Sequence, residues 1–148
     1  MNTFTPIAIV SPEKQDDHDM IRHEKLQRYL KNEGFSFKPV KGYYKGNLEN
    51  SYVIILSGEK FLDVLKSAMF SDEFKQESIL YVDANRYAKL IYSDGIETEL
   101  GKFHEIDKTL VRTLSSYTYD KANDTYYTTS HEGMKATGEI EIDKTKGL

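Results

Sequence analysis

The residues best able to do chemistry crowd into positions 38 to 51. Lys38, Lys41 and Lys45 alternate there with Gly42, Tyr43, Tyr44 and Gly46, and Glu49 and Ser51 lead into the apolar run Tyr52 to Leu56. Two chemistries suit that pattern. Tyr43 or Tyr44 can stack on an unpaired base while the lysines hold phosphates, a stacked base being worth roughly 1–3 kcal/mol. The same aromatic and basic side chains can instead dock on a protein, since tyrosine is enriched at interface hot spots. The plainer reading is a solvated hairpin loop whose tyrosines cover a sheet edge.

Other clusters carry less. Asp16, Asp17, His18, Asp19 and His23 bring oxygen and nitrogen ligands close together, with Asp19 and His23 one helical turn apart. No third, separated ligand follows, so the acids are expected to complement a helix dipole and no metal is expected. Ser51 and Ser78 lack a glycine-framed nucleophile elbow, and the chain has neither a phosphate-binding P-loop nor a dinucleotide fingerprint. No catalytic residue and no cofactor is therefore expected. Arg22 and Glu49 could lock two elements together or clamp a ligand. Tyr117, Tyr119, Tyr126 and Tyr127, interleaved with threonines, form a second candidate contact face.

Composition narrows the partners. With 148 residues the chain can bury one substantial core, and residues 1–148 are expected to form a single domain with 144–148 as a loose tail. Its net charge of −4 opposes broad electrostatic capture of nucleic acid. The absence of cysteine rules out disulfides and thiolate zinc sites and suits a reducing cytoplasm. No signal peptide is evident at the start, and no apolar stretch approaches the roughly 20 residues of a membrane span. A cytoplasmic protein without membrane partners is expected.

The elements that must position these residues follow from periodicity. Ile7 to Val10 is a β-branched run suited to a buried strand, and residues 16–33 read as a helix with acids in its first turn and Gly34 as its stop. Two further strands flank the Gly42–Gly46 loop, a second amphipathic helix spans about 59–70, and three strands near 79–100 are separated by turn signals. Residues 105–115 read as a short helix. Tyr117–Tyr119 and Thr125–Thr129 could pair as a C-terminal hairpin, and Glu139–Ile142 alternates like an edge strand. The opening order βαββαβ is ferredoxin-like, so the expected fold is α+β, with an antiparallel meander extending that sheet.

Over its first two thirds the chain resembles a family of small bacterial and bacteriophage proteins of unknown function. The resemblance rests on Arg22 with His23, Gly42-Tyr43-Tyr44, Glu49-Asn50-Ser51, and Phe74-Lys75-Gln76-Glu77-Ser78; the family has asparagine where this chain has His23. It implies a phage-type accessory protein and nominates Arg22, Glu49, Ser51, Gln76 and Ser78 as polar positions at element edges. The function expected on these grounds is non-enzymatic modulation, such as inhibition, of a host or defence-system protein, bound through the Gly42–Glu49 loop with Lys41, Tyr43, Tyr44 and Lys45, and with the tyrosine-rich C-terminal hairpin as a second face. The alternative is a module for a small molecule, nucleotide or single-stranded nucleic acid, with phosphoester hydrolysis open to it.

Overall fold

In the computed structural model, residues 4–44, 46–58 and 60–130 are described. Eight strands form the framework: β1 (Ile7–Val10), β2 (Ser36–Tyr44), β3 (Asn47–Ile55), β4 (Ser78–Val82), β5 (Tyr87–Tyr92), β6 (Glu97–Ile106), β7 (Ser116–Asp120) and β8 (Thr125–Thr129). Two helices, α1 (Asp19–Asn32) and α2 (Phe61–Met69), and a 3₁₀ turn at Lys108–Thr113 complete the set. The strands close into an antiparallel barrel in the order β1-β3-β2-β7-β8-β6-β5-β4.

Closure overturns the expected ferredoxin-like α+β fold. The first four strands do lie side by side as β4-β1-β3-β2, but neither outer strand is an edge. On one side β5 and β6 continue from β4, and on the other β7 pairs with β2 through Lys41↔Tyr119 to Tyr44↔Ser116. The β7–β8 hairpin then joins the two arms, with Phe103↔Thr129 and Ile106↔Tyr126 as the ends of the β6–β8 seam. Full closure removes every exposed ladder of backbone N–H and C=O groups, which an open sheet would leave at both sides. The helix expected over 105–115 is the single 3₁₀ turn. Its Asp107 cap accepts from the Thr109 N–H at 2.9 Å, and the backbone is extended again by Leu114.

Alternation along the strands divides the apolar residues between two cores. Ile7, Ile9, Val82, Ala88 and Phe103 form the barrel interior, with Leu80, Leu100 and Tyr127 packed against them. Ala8, Val10, Tyr52, Ile54 and Ile79 face outward and are covered by Leu26 and Leu30 of α1 and by Leu65 and Met69 of α2. Strand β1 is thus buried on both faces, which is why its sequence is apolar without alternation. Gly34 takes φ +80° just after α1, a conformation that a Cβ would strain, and lets the chain turn into β2. Among the described residues, no helix is long and apolar enough to cross a membrane. The strand expected at Glu139–Ile142 and the tail lie outside the described residues.

Candidate active site in the barrel mouth

One end of the barrel interior is unfilled and forms a cavity of about 710 Å³. An eight-stranded barrel is just wide enough to hold one small ligand when side chains do not fill it. Small residues make the room here. Gly42, Ser51, Ser78, Thr98, Ser116 and Thr118 line the cavity, and a Cβ on Gly42 would stand only 3.0 Å from Ser51 Oγ. Deeper in, Ile9, Leu80, Leu90, Leu100 and Phe103 make an apolar belt. Tyr43 and Tyr117, stacked at 5.1 Å between centroids, reach its edge. Burial raises the Tyr117 hydroxyl above its ordinary value, so it remains a protonated donor at neutral pH.

Charge gathers at the rim. Glu13 and Lys14, from the β1–α1 loop, lie with Glu49 of β3 and with Lys75 and Glu77 from the α2–β4 connection. Burial, with the carboxylates of Glu13 and Asp19, pushes the half-buried Glu49 carboxyl above its ordinary value, while Lys14 and a hydrogen bond with Gln15 act the other way. Burial and the Arg22 guanidinium lower the Lys14 ammonium, against the pull of Glu77, Glu49 and Asp16. Lys14 Nζ donates to the Lys75 carbonyl at 2.7 Å and ties the two rim segments together.

Glu49 and Ser51 are held from behind. Between them, Asn50 donates its backbone N–H and its Nδ2 to Glu13, at 3.1 and 3.0 Å. Glu13 also meets His23 Nε2 at 2.7 Å, and His23 Nδ1 meets the Tyr52 hydroxyl at 2.8 Å, which in turn accepts from Gln27 Nε2 at 2.8 Å. This chain of polar groups pins the backbone that presents Glu49. Gln76 donates Nε2 to the Ser78 carbonyl at 2.6 Å, and its Oε1 is a buried acceptor without a partner. A buried, unpaired amide oxygen beside a cavity is an acceptor waiting for a ligand donor.

Of the residues singled out in the sequence, Tyr43, Glu49, Ser51, Gln76 and Ser78 meet at this cavity. Arg22 does not: it is paired with Asp16 and Asp19 at 2.7 Å each, locking the start of α1 rather than clamping Glu49. Lys41 donates to Asn50 Oδ1 at 2.6 Å and is not part of the cavity lining. Tyr44 pairs through its backbone with Asn47 and Ser116, and Lys45 lies outside the described residues. Sequence reasoning missed the rim residues Glu13, Lys14, Lys75 and Glu77. Lys75 and Glu77 lie within the Phe74–Ser78 motif but at positions it did not single out, and no motif marks Glu13 or Lys14, which loop closure brings to the same rim. The exposed Asp16–Asp17–His18 group is the closest approach to a metal cluster among the described residues, and Arg22 already satisfies Asp16.

Residues 10–130 match the S-adenosylmethionine lyase family. The chain belongs to that family. No curated protein matches the chain. Membership in a lyase family overturns the expected non-enzymatic modulator, and its alternative, a nucleic-acid or nucleotide module with phosphoester hydrolysis, does not match either. The match bears out a family for the chain and gives it the name of a reaction where the resemblance implied no activity. The matched span runs from the last residue of β1 to just past β8, so it includes nearly the whole cavity lining of this S-adenosylmethionine lyase family member.

Proposed function

We propose that this protein cleaves S-adenosylmethionine without adding water, and that the reaction takes place in the barrel mouth. The observation that carries the reading is the joining, in one cavity of about 710 Å³, of an acidic rim with an apolar interior. That volume lies within the range of small-molecule sites. S-Adenosylmethionine carries a sulfonium and an ammonium. Glu49, Glu13 and Glu77 offer them counter-charges at the entrance, Gln76 Oε1 accepts from a donor such as the ammonium or the adenine amino group, and Tyr43 and Tyr117 offer an aromatic wall to the adenine ring.

Lyase chemistry breaks a carbon–sulfur bond, and its electron pair passes to sulfur to leave a neutral thioether. The carbon side is then satisfied within the substrate, by loss of a proton or by attack of the substrate's own carboxylate oxygen. When the carboxylate attacks, opposite charges disappear as the bond breaks. An apolar belt therefore favours the transition state over the charged ground state, and no enzymic nucleophile is needed. Ser11, Ser51, Ser78 and Ser116 line the cavity with no histidine among the described lining residues to activate them, which is consistent with this chemistry.

Incubation with S-adenosylmethionine and chromatography of the mixture test the reading. A neutral nucleoside thioether and an amino-acid fragment should appear together, and oxygen-18 from labelled water should be absent from the initial amino-acid product. Glu49→Gln should reduce kcat/KM by at least about tenfold, the loss expected for one charge-assisted contact. Intact substrate after prolonged incubation with folded protein, together with no ligand-induced rise in Tm, would overturn the proposal.

A further inference from the structure

The opposite end of the barrel holds a second, smaller cavity of about 230 Å³, lined by Phe4, Ile7, Lys38, Arg86 and Asp120 among others. Asp120 is only 4% exposed, yet one of its carboxylate oxygens has no partner. The other oxygen accepts from Lys38 Nζ at 2.5 Å and Asn123 Nδ2 at 2.9 Å. These hydrogen bonds hold the carboxyl below its ordinary value despite its burial, so it is ionised at neutral pH. A buried, charged oxygen left without a donor is costly unless something supplies one.

Arg86 is its complement. Its guanidinium lies 4.7 Å from the centroid of the Phe4 ring and meets no carboxylate at ion-pair distance among the described residues. Its backbone takes φ +68°, a left-handed conformation that is uncommon outside glycine and asparagine. A guanidinium without a carboxylate among the described residues and an open carboxylate oxygen, lining one cavity, have a joint explanation. We infer that this cavity is a second ligand site for a small α-amino acid zwitterion, its ammonium on Asp120, its carboxylate on Arg86 and its side chain against Phe4 and Ile7. The lining sets Lys38 and Arg86 against Glu105 and Asp120, so its charges cancel and the site asks for a ligand of no net charge. The amino-acid fragment released from a sulfonium substrate is of this class, although the site stands whether or not that reaction occurs.

Calorimetric titration of the whole protein with L-homoserine and L-methionine tests the inference, with N-acetylmethionine and the decarboxylated amine of methionine as controls. Binding of the zwitterions alone is expected. Arg86→Ala, at an exposed position, and Asp120→Asn should each weaken it by at least about tenfold, while Glu49→Gln in the other cavity leaves it unchanged. No heat with either amino acid at millimolar concentration would mean that only water meets Asp120, and the inference fails. Binding lost in Glu49→Gln but kept in Arg86→Ala would place the ligand in the larger cavity and equally overturn it.

Discussion

Glu49 shows how one residue sets function against stability. Folding removes it from water and places it beside Glu13 and Asp19, so its carboxyl pKa rises above the ordinary value of 4.5. A carboxyl with a raised pKa binds protons more tightly in the folded state than in the unfolded one. Its contribution to stability is therefore complete below the unfolded value and is lost as pH rises through the folded value. At neutral pH the charge is a cost to the empty barrel and an asset only to a cationic ligand. Glu49→Gln should accordingly raise Tm at pH 7, with the gain vanishing below about pH 4, where the native side chain is itself neutral. Thermal melts across that range check it. A lower Tm at pH 7 would mean that favourable contacts, rather than burial, hold the charge in the empty site. Sequence marked Glu49 by its place ahead of an apolar strand. It could not mark Glu13, whose role comes from a loop folding back to meet Asn50 and His23.

At the scale of elements, local pattern was readable and pairing was not. The β-branched run of β1, the Asp94-Gly95 turn and the amphipathic α2 all follow from short stretches of sequence, but the β6–β8 seam joins residues twenty or more positions apart. Nothing in the alternation of Tyr126 to Thr129 says which strand receives it. One local signal for closure did exist, at Gly101. It has φ +82°, and the β5–β6 register slips beside it, pairing Ala88 with Gly101 but Lys89 with Glu99. A bulge of this kind bends and twists its strand, which carries β6 round toward β8. Gly101→Ala should cost about 1–2 kcal/mol, because an L residue is strained in that conformation. Urea unfolding followed by circular dichroism measures it; an unchanged midpoint would show that β6 curves without the glycine.

For the whole molecule, the decisive property is that all eight strands contribute to the lining of the larger cavity. Glu49 and Ser51 come from β3, Ser78 from β4 and Tyr92 from β5, while the far wall of Ser116, Thr118, Tyr127 and Thr129 comes from the hairpin that closes the barrel. The site therefore exists only in the closed barrel, and a ligand touching both walls is linked to closure. Binding to the native state stabilises it by RT ln(1 + [L]/Kd), about 2.7 kcal/mol at a hundredfold excess over Kd. If the seam is where the barrel opens, that energy must slow its opening as well as motions near the rim. Hydrogen exchange with S-adenosylhomocysteine, a thioether that cannot undergo sulfonium cleavage, should thus show added protection at amides of Phe103–Ile106 and Tyr126–Thr129, along with those of β3 and β4. Protection confined to β1, β3 and β4 would mean that the ligand rests on one wall. In that case the hairpin would complete the fold without completing the site.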